Sequence, residues 1–60
     1  MERAILKSKT SGTGFIILCR VTKYNFTEFV TWYMDKNNNT YLGHYFIDYF
    51  DAKNDYLNRI

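Results

Sequence analysis

Two neighbouring stretches decide the fold. The first is Phe15-Ile16-Ile17-Leu18-Cys19-Arg20-Val21-Thr22-Lys23-Tyr24, and the second is Thr27-Glu28-Phe29-Val30-Thr31-Trp32-Tyr33-Met34-Asp35. Both are rich in β-branched and aromatic residues, which suit a pleated, half-buried surface, and both predict strands. A two-residue loop at Asn25 and Phe26 sets Tyr24 opposite Thr27 and makes the pair an antiparallel hairpin. Val21 then faces Val30, Cys19 faces Trp32 and Ile17 faces Met34. Side chains alternate across a strand, so this pairing sorts the hairpin into two faces. One carries Phe15, Ile17, Cys19, Val21, Val30, Trp32 and Met34 and is wholly apolar. The other carries Ile16, Leu18, Arg20, Thr22, Tyr24, Phe29, Thr31 and Tyr33 and is mixed. A one-residue slip would exchange the sets, and the clean sorting argues against it. The apolar face is the expected core.

The flanks extend the hairpin into a sheet. Residues 3–8 read as a short edge strand whose lysines discourage further pairing. Residues 10–14, with Gly12 and Gly14, read as a loop. A phosphate-cradling loop is not indicated, because a strand rather than a helix follows. Residues 36–39, Lys36-Asn37-Asn38-Asn39, form a turn, since Asn tolerates the left-handed region. Residues 40–47 make a further strand in which Gly43 lies opposite Trp32, leaving room for the indole. Residues 48–60 are the one good helix. Asp48 is its N-cap, Asp51 sits in its first turn, Ile47 staples onto Ala52, and Tyr49, Ala52, Tyr56 and Ile60 form its apolar stripe. Arg59 suits its negative end. Lys53, Asn54, Asp55 and Asn58 are expected to face water. The predicted fold is α+β: an antiparallel four-stranded β-meander packed on one face by a single C-terminal α-helix (ββββα), with residues 1–60 as one domain.

Sixty residues bury only about 60% of the unfolded surface, so a chain this short needs dense packing or a partner. Six Tyr, five Phe and one Trp supply the density. Cys19 is the one cysteine and His44 the one histidine, which excludes an intrachain disulfide and a Cys/His zinc cluster. The formal net charge of +2 comes without any run of like charge. No N-terminal apolar run marks a secretory signal, no stretch reaches the ~20 residues of a membrane span, and a free thiol fits a reducing cytoplasm. The expected location is the cytoplasm of a bacterial host cell. Abundant Phe, Tyr, Ile, Asn and Lys, with few Gly and no Pro, point to an AT-rich genome.

No catalytic, metal-binding or cofactor-binding constellation is legible. His44 falls on the mixed face and Cys19 on the core face, so they form no dyad, and a thiol in a core is inert. Asp48, Asp51 and Asp55 are explained by helix capping and solvation. The chain is expected not to be an enzyme.

One helix covers one side of a sheet. The mixed side is expected to stay open and to expose an aromatic patch built on Leu18, Arg20, Tyr24, Phe29, Tyr33, His44 and Phe46. Patches of that size mark interaction sites, and Tyr, Phe and Arg resemble interface hot spots. The expected partners are a second copy of the chain, in a homodimer, and a host or defence protein. Single-stranded nucleic acid stacking on the same face is the alternative, weakened by the thin electrostatic footprint. A structural subunit of a larger assembly is a third reading.

The tail Gly43-His44-Tyr45-Phe46, followed by Ala52, Asp55, Tyr56 and Arg59, resembles short uncharacterised phage and mobile-element proteins of low-GC bacteria. The segments Cys19-Arg20-Val21-Thr22 and Phe29-Val30-Thr31-Trp32 look like the same group's central hairpin, so the resemblance spans residues 15–60. It implies a stoichiometric, anti-CRISPR-like inhibitor that acts by occupying a protein surface. Many such inhibitors are acidic DNA mimics. This chain is slightly basic, so the resemblance does not extend to mimicry.

Overall fold

The computed structural model describes residues 1–59. Four strands, β1 (Glu2–Ser11), β2 (Gly14–Lys23), β3 (Phe26–Met34) and β4 (Thr40–Phe46), are followed by one helix, α1 (Tyr49–Asn58). The sheet order is β1-β2-β3-β4 and every pair is antiparallel, so the expected ββββα meander is the observed fold.

Each turn is tighter or better tied than its sequence suggests. The loop expected over residues 10–14 contracts to Gly12 and Thr13, because Ser11 pairs with Gly14 and Gly12 takes φ +58°. The second hairpin turns at Tyr24 and Asn25 rather than at Asn25 and Phe26, with Tyr24 at φ 58°. Lys23 thereby pairs with Phe26, and the Thr22 and Thr27 hydroxyls meet at 3.2 Å. Relative to the expected register every partner moves by two: Ile17 faces Trp32, Cys19 faces Val30 and Val21 faces Glu28. A shift of two preserves the faces, so the two sets of side chains stand as read. In the third turn Asp35 acts as the organiser. Its carboxylate accepts from the backbone N–H groups of Asn37 at 2.8 Å and Asn39 at 3.0 Å and from the Tyr41 hydroxyl at 3.0 Å. The Asn39 backbone bond, ahead of burial and the other donors, holds the Asp35 carboxyl below its ordinary value.

Two strands carry an extra residue. Ile5 pairs with Cys19 and Lys7 with Leu18, leaving Leu6 as a bulge in β1. Tyr41 pairs with Tyr33 and His44 with Thr31, so Leu42 and Gly43 together oppose Trp32. Leu42 carries this second bulge at φ 58°.

The helix begins as expected: Asp48 accepts from the Asp51 N–H at 3.1 Å. The Ile47 staple does not form, since Ile47 is exposed. The part of the predicted stripe at Ile60 lies outside the described residues. Tyr49, Ala52 and Tyr56 do face the sheet, but on the side opposite to the one expected. Ala52 and Tyr56 are buried with Ile16 and Leu18, and Phe29, Tyr33, Phe46 and Tyr49 pack around them. The helix therefore covers the mixed face. The wholly apolar face forms its own cluster of Ile17, Cys19, Val21 and Val30, roofed by Phe15, Trp32 and Met34 from the same face.

The reason lies in the side chains. The central residues of the apolar face are short or mid-sized, and large neighbours fold over them without help from another element. The mixed face has Thr31 at its centre, fully buried, and a buried hydroxyl requires a partner. Only the helix supplies one.

Candidate interaction face

The open side of the sheet is built around Trp32. Its indole stands over Gly43, where a Cβ would lie 2.5 Å from Nε1 and 2.9 Å from Cδ1. The room that the sequence predicts at Gly43 is thus occupied by the ring. Tyr45 meets the indole edge-on, with centroids 6.2 Å apart and planes at 88°. The Arg3 guanidinium carbon lies 5.0 Å from the ring centroid, a cation–π contact. Gly43, Tyr45 and Arg3 thus fix Trp32 on three sides while it stays partly accessible. Tyr45 is 60% exposed and Ile5, across from Cys19, is 56% exposed. The floor beneath is rigid, because Ile17, Cys19 and Val30 are essentially solvent-free. The Cys19 thiol belongs to that floor. Burial pushes its pKa up, against a smaller opposing effect of Arg3, so it is a packing group rather than a nucleophile.

The residues expected to form one open patch are placed differently. Leu18 is fully buried beneath the helix, and Phe29, Tyr33 and Phe46 pack against the helix cluster. Tyr33 also donates its hydroxyl to the Ser11 carbonyl at 3.1 Å. Arg20 is exposed on the helix side of the sheet. Tyr24 is 90% exposed at the hairpin tip, with the Lys23 ammonium 5.8 Å from its ring centroid. His44 is bound to the helix. These positions lie on or beside the covered face and do not make a continuous open surface. The aromatic face instead comes from Trp32, Tyr45 and Phe15, with Arg3 and Ile5. Alternation assigned Trp32 and Phe15 to the wholly apolar face. It did not show that this face needs no second layer.

On the helix side a polar node joins three elements. Asp55 Oδ2 accepts from the Thr31 hydroxyl at 2.5 Å and contacts His44 Nδ1 at 2.9 Å. Arg59 donates from Nη1 to Thr31 Oγ1 at 3.3 Å and from Nη2 to the Leu42 carbonyl. Asp55, expected to face water, therefore turns toward β3 and β4. Burial alone would raise its carboxyl, but the Thr31 and His44 hydrogen bonds and the His44 and Arg59 charges outweigh that and hold it below its ordinary value. The Thr31 proton is given to Asp55 and its oxygen lies away from solvent, so the node's geometry is that of a clamp between helix and sheet.

Among the described residues, no three His, Cys, Asp or Glu side chains converge as metal ligands, and no helix is long and apolar enough to cross a membrane. Comparison of the chain with protein-family models, with curated proteins and with solved structures returns no match.

Proposed function

We propose that this chain is a non-enzymatic binding protein, of phage or mobile-element origin, that seats a bacterial host or defence protein on the open sheet face and self-associates through the same face. The observation that carries the reading is the immobilised Trp32, flanked by Arg3 and Tyr45 over a solvent-free floor. Trp, Tyr and Arg dominate binding hot spots because they offer large contact area with little rotamer entropy left to lose. Here that entropy is already spent within the fold. The class of partner comes from the resemblance to small phage inhibitors.

The test uses Tyr45→Asp and Ile5→Asp, both at exposed edge-strand positions. Wild-type protein should show a concentration-dependent mass by light scattering and should retain a stoichiometric protein from a bacterial host lysate. Each variant should stay folded by circular dichroism, run as a monomer and lose the captured protein. A wild type that is monomeric at all concentrations removes self-association. Capture that survives both variants removes the face.

A further inference from the structure

We propose that a ledge between β1 and the helix is a binding site for the phosphate backbone of single-stranded nucleic acid, on the opposite side of the sheet from the Trp32 face. The backbone of the helix packs on β2, β3 and β4 and not on β1, which it meets through the Lys9 side chain, so the helix side of β1 is largely open. The register then gathers charges that are scattered in sequence. Lys7 pairs with Leu18, Lys9 pairs with Ile16 and Ala4 pairs with Arg20, so Lys7, Lys9 and Arg20 all project on the side of Leu18 and Ile16. Leu57 lines a groove of about 470 Å³ with Lys9, Thr10, Ser11, Gly12 and Arg59, which fixes the helix flank that looks toward β1. Lys53, one turn before Leu57, lies on that same flank. Lys7, Lys9, Arg20 and Lys53, half of the chain's eight Lys and Arg residues, thus border one ledge, while the Arg59 guanidinium is engaged with Thr31 and the Leu42 carbonyl.

The ledge is electrostatically unbalanced. Asp55 is on the other flank of the helix, bound to Thr31 and His44. Among the described residues the one carboxylate ion pair is His44 with Asp55, and none of the four ledge cations pairs with a described acid. Glu2, paired with Thr22, is the one acid that the register places on this side of β1 and β2. Lys9 is already oriented, its ammonium donating to the Tyr56 carbonyl at 2.7 Å and lying 4.7 Å from the Tyr56 ring centroid.

A line of cations spaced by strand geometry, about 6.8 Å from Lys7 to Lys9, suits a polyanion followed lengthwise. Phe50 lies two turns before Leu57 on the same helix stripe; its ring meets Tyr49 edge-on at 5.4 Å and stays 71% exposed, giving an accessible ring on the ledge flank. Cations along a backbone track with an aromatic platform beside them are the elements of sequence-tolerant single-strand binding.

The experiment is fluorescence anisotropy with a labelled oligothymidylate of about 20 nucleotides, titrated from about 50 mM salt upward. Four phosphates neutralised on a single strand predict a slope of log K against log salt near −2.8, at about 0.7 per phosphate. Lys7→Glu with Arg20→Glu should weaken binding at least about tenfold and reduce the slope by about 1.4. Lys23→Glu with Lys36→Glu changes net charge equally, away from the ledge, and should cost less than about twofold. Phe50→Ala should weaken binding at least about fivefold with the slope unchanged, as loss of stacking does. Circular dichroism confirms that each variant is folded. No binding at about 50 mM salt, or equal losses for the two charge-reversal pairs, overturns the proposal. Displacement of the oligonucleotide by polyglutamate at matched charge overturns it in favour of an acidic protein.

Discussion

Leu42 is a leucine where the backbone asks for glycine, and the glycine is one position away. In the β4 bulge Leu42 sits at φ 58° while Gly43 lies beneath the Trp32 ring. Two demands meet there: a residue that tolerates the left-handed region, and a residue without a Cβ. Only one glycine is present, and it answers the second demand, because the indole is rigid. Leu42 bears the strain, and Arg59 holds its carbonyl. Strain of this kind costs roughly 1–3 kcal/mol, against about 0.5–1 kcal/mol for the extra chain entropy of glycine. Leu42 is 71% exposed and gives up little burial. Leu42→Gly is therefore expected to stabilise the protein by about 1 kcal/mol. Gly43→Ala should destabilise it by about 1–3 kcal/mol through overpacking against Trp32. Thermal or urea unfolding of the two variants checks both signs, and equal midpoints would contradict the assignment of roles. Gly43 under Trp32 was legible from pairing alone. The left-handed Leu42 was not, because a bulge depends on how two strands accommodate a ring.

The helix is held by its polar edge as well as by its apolar stripe. Asp55 bridges Thr31 in β3 and His44 in β4 from one carboxylate oxygen. Its pKa is held below the ordinary value near 3.8, so its contribution to stability is complete above that value. The contribution is lost as pH falls through the folded-state pKa, when the carboxylate takes a proton. Asp35 acts in the same direction in the third turn. Asp55→Asn should cost about 1–2 kcal/mol at neutral pH by weakening a charge-assisted bond to a buried hydroxyl. The difference from wild type should shrink below about pH 4. Midpoint temperatures across pH test this, and a gap that does not narrow in acid would locate Asp55's role elsewhere. The helix start and the Asp48 cap followed from the residues, whereas the helix expected to run to residue 60 ends at Asn58. The side of the sheet that the helix covers did not, because apolarity alone points to the face of Ile17, Cys19 and Val30. Thr31 was the better guide: a hydroxyl at the centre of a strand calls for the element that carries its acceptor.

At the scale of the whole molecule the sheet is a shared wall between two cores. Ile16 and Leu18 belong to the helix side, Ile17 and Cys19 to the open side, and β2 contributes to both. Neither cluster can loosen without disturbing the strand that the other needs. Cys19 provides a reporter of this coupling, since it is fully buried and is the free thiol of the chain. Its reaction with an aromatic disulfide at neutral pH should proceed through global opening, at a rate set by the population of the open form. Asp55→Asn, a change on the far side of the sheet, should accelerate it by about 5–30-fold, the rise in open population that a loss of about 1–2 kcal/mol produces. Labelling that ignores that variant would mean that the open face breathes independently of the helix.

The bulges at Leu6 and Leu42 interrupt the two outermost strands. A straight outer strand is a template on which the next chain adds, and the next after it, without limit. Interrupted margins on both sides remove that route to indefinite growth. The open face remains, and a two-fold contact between faces is complete once it forms. On the function proposed above, association through that face would end with the pair instead of extending strand by strand.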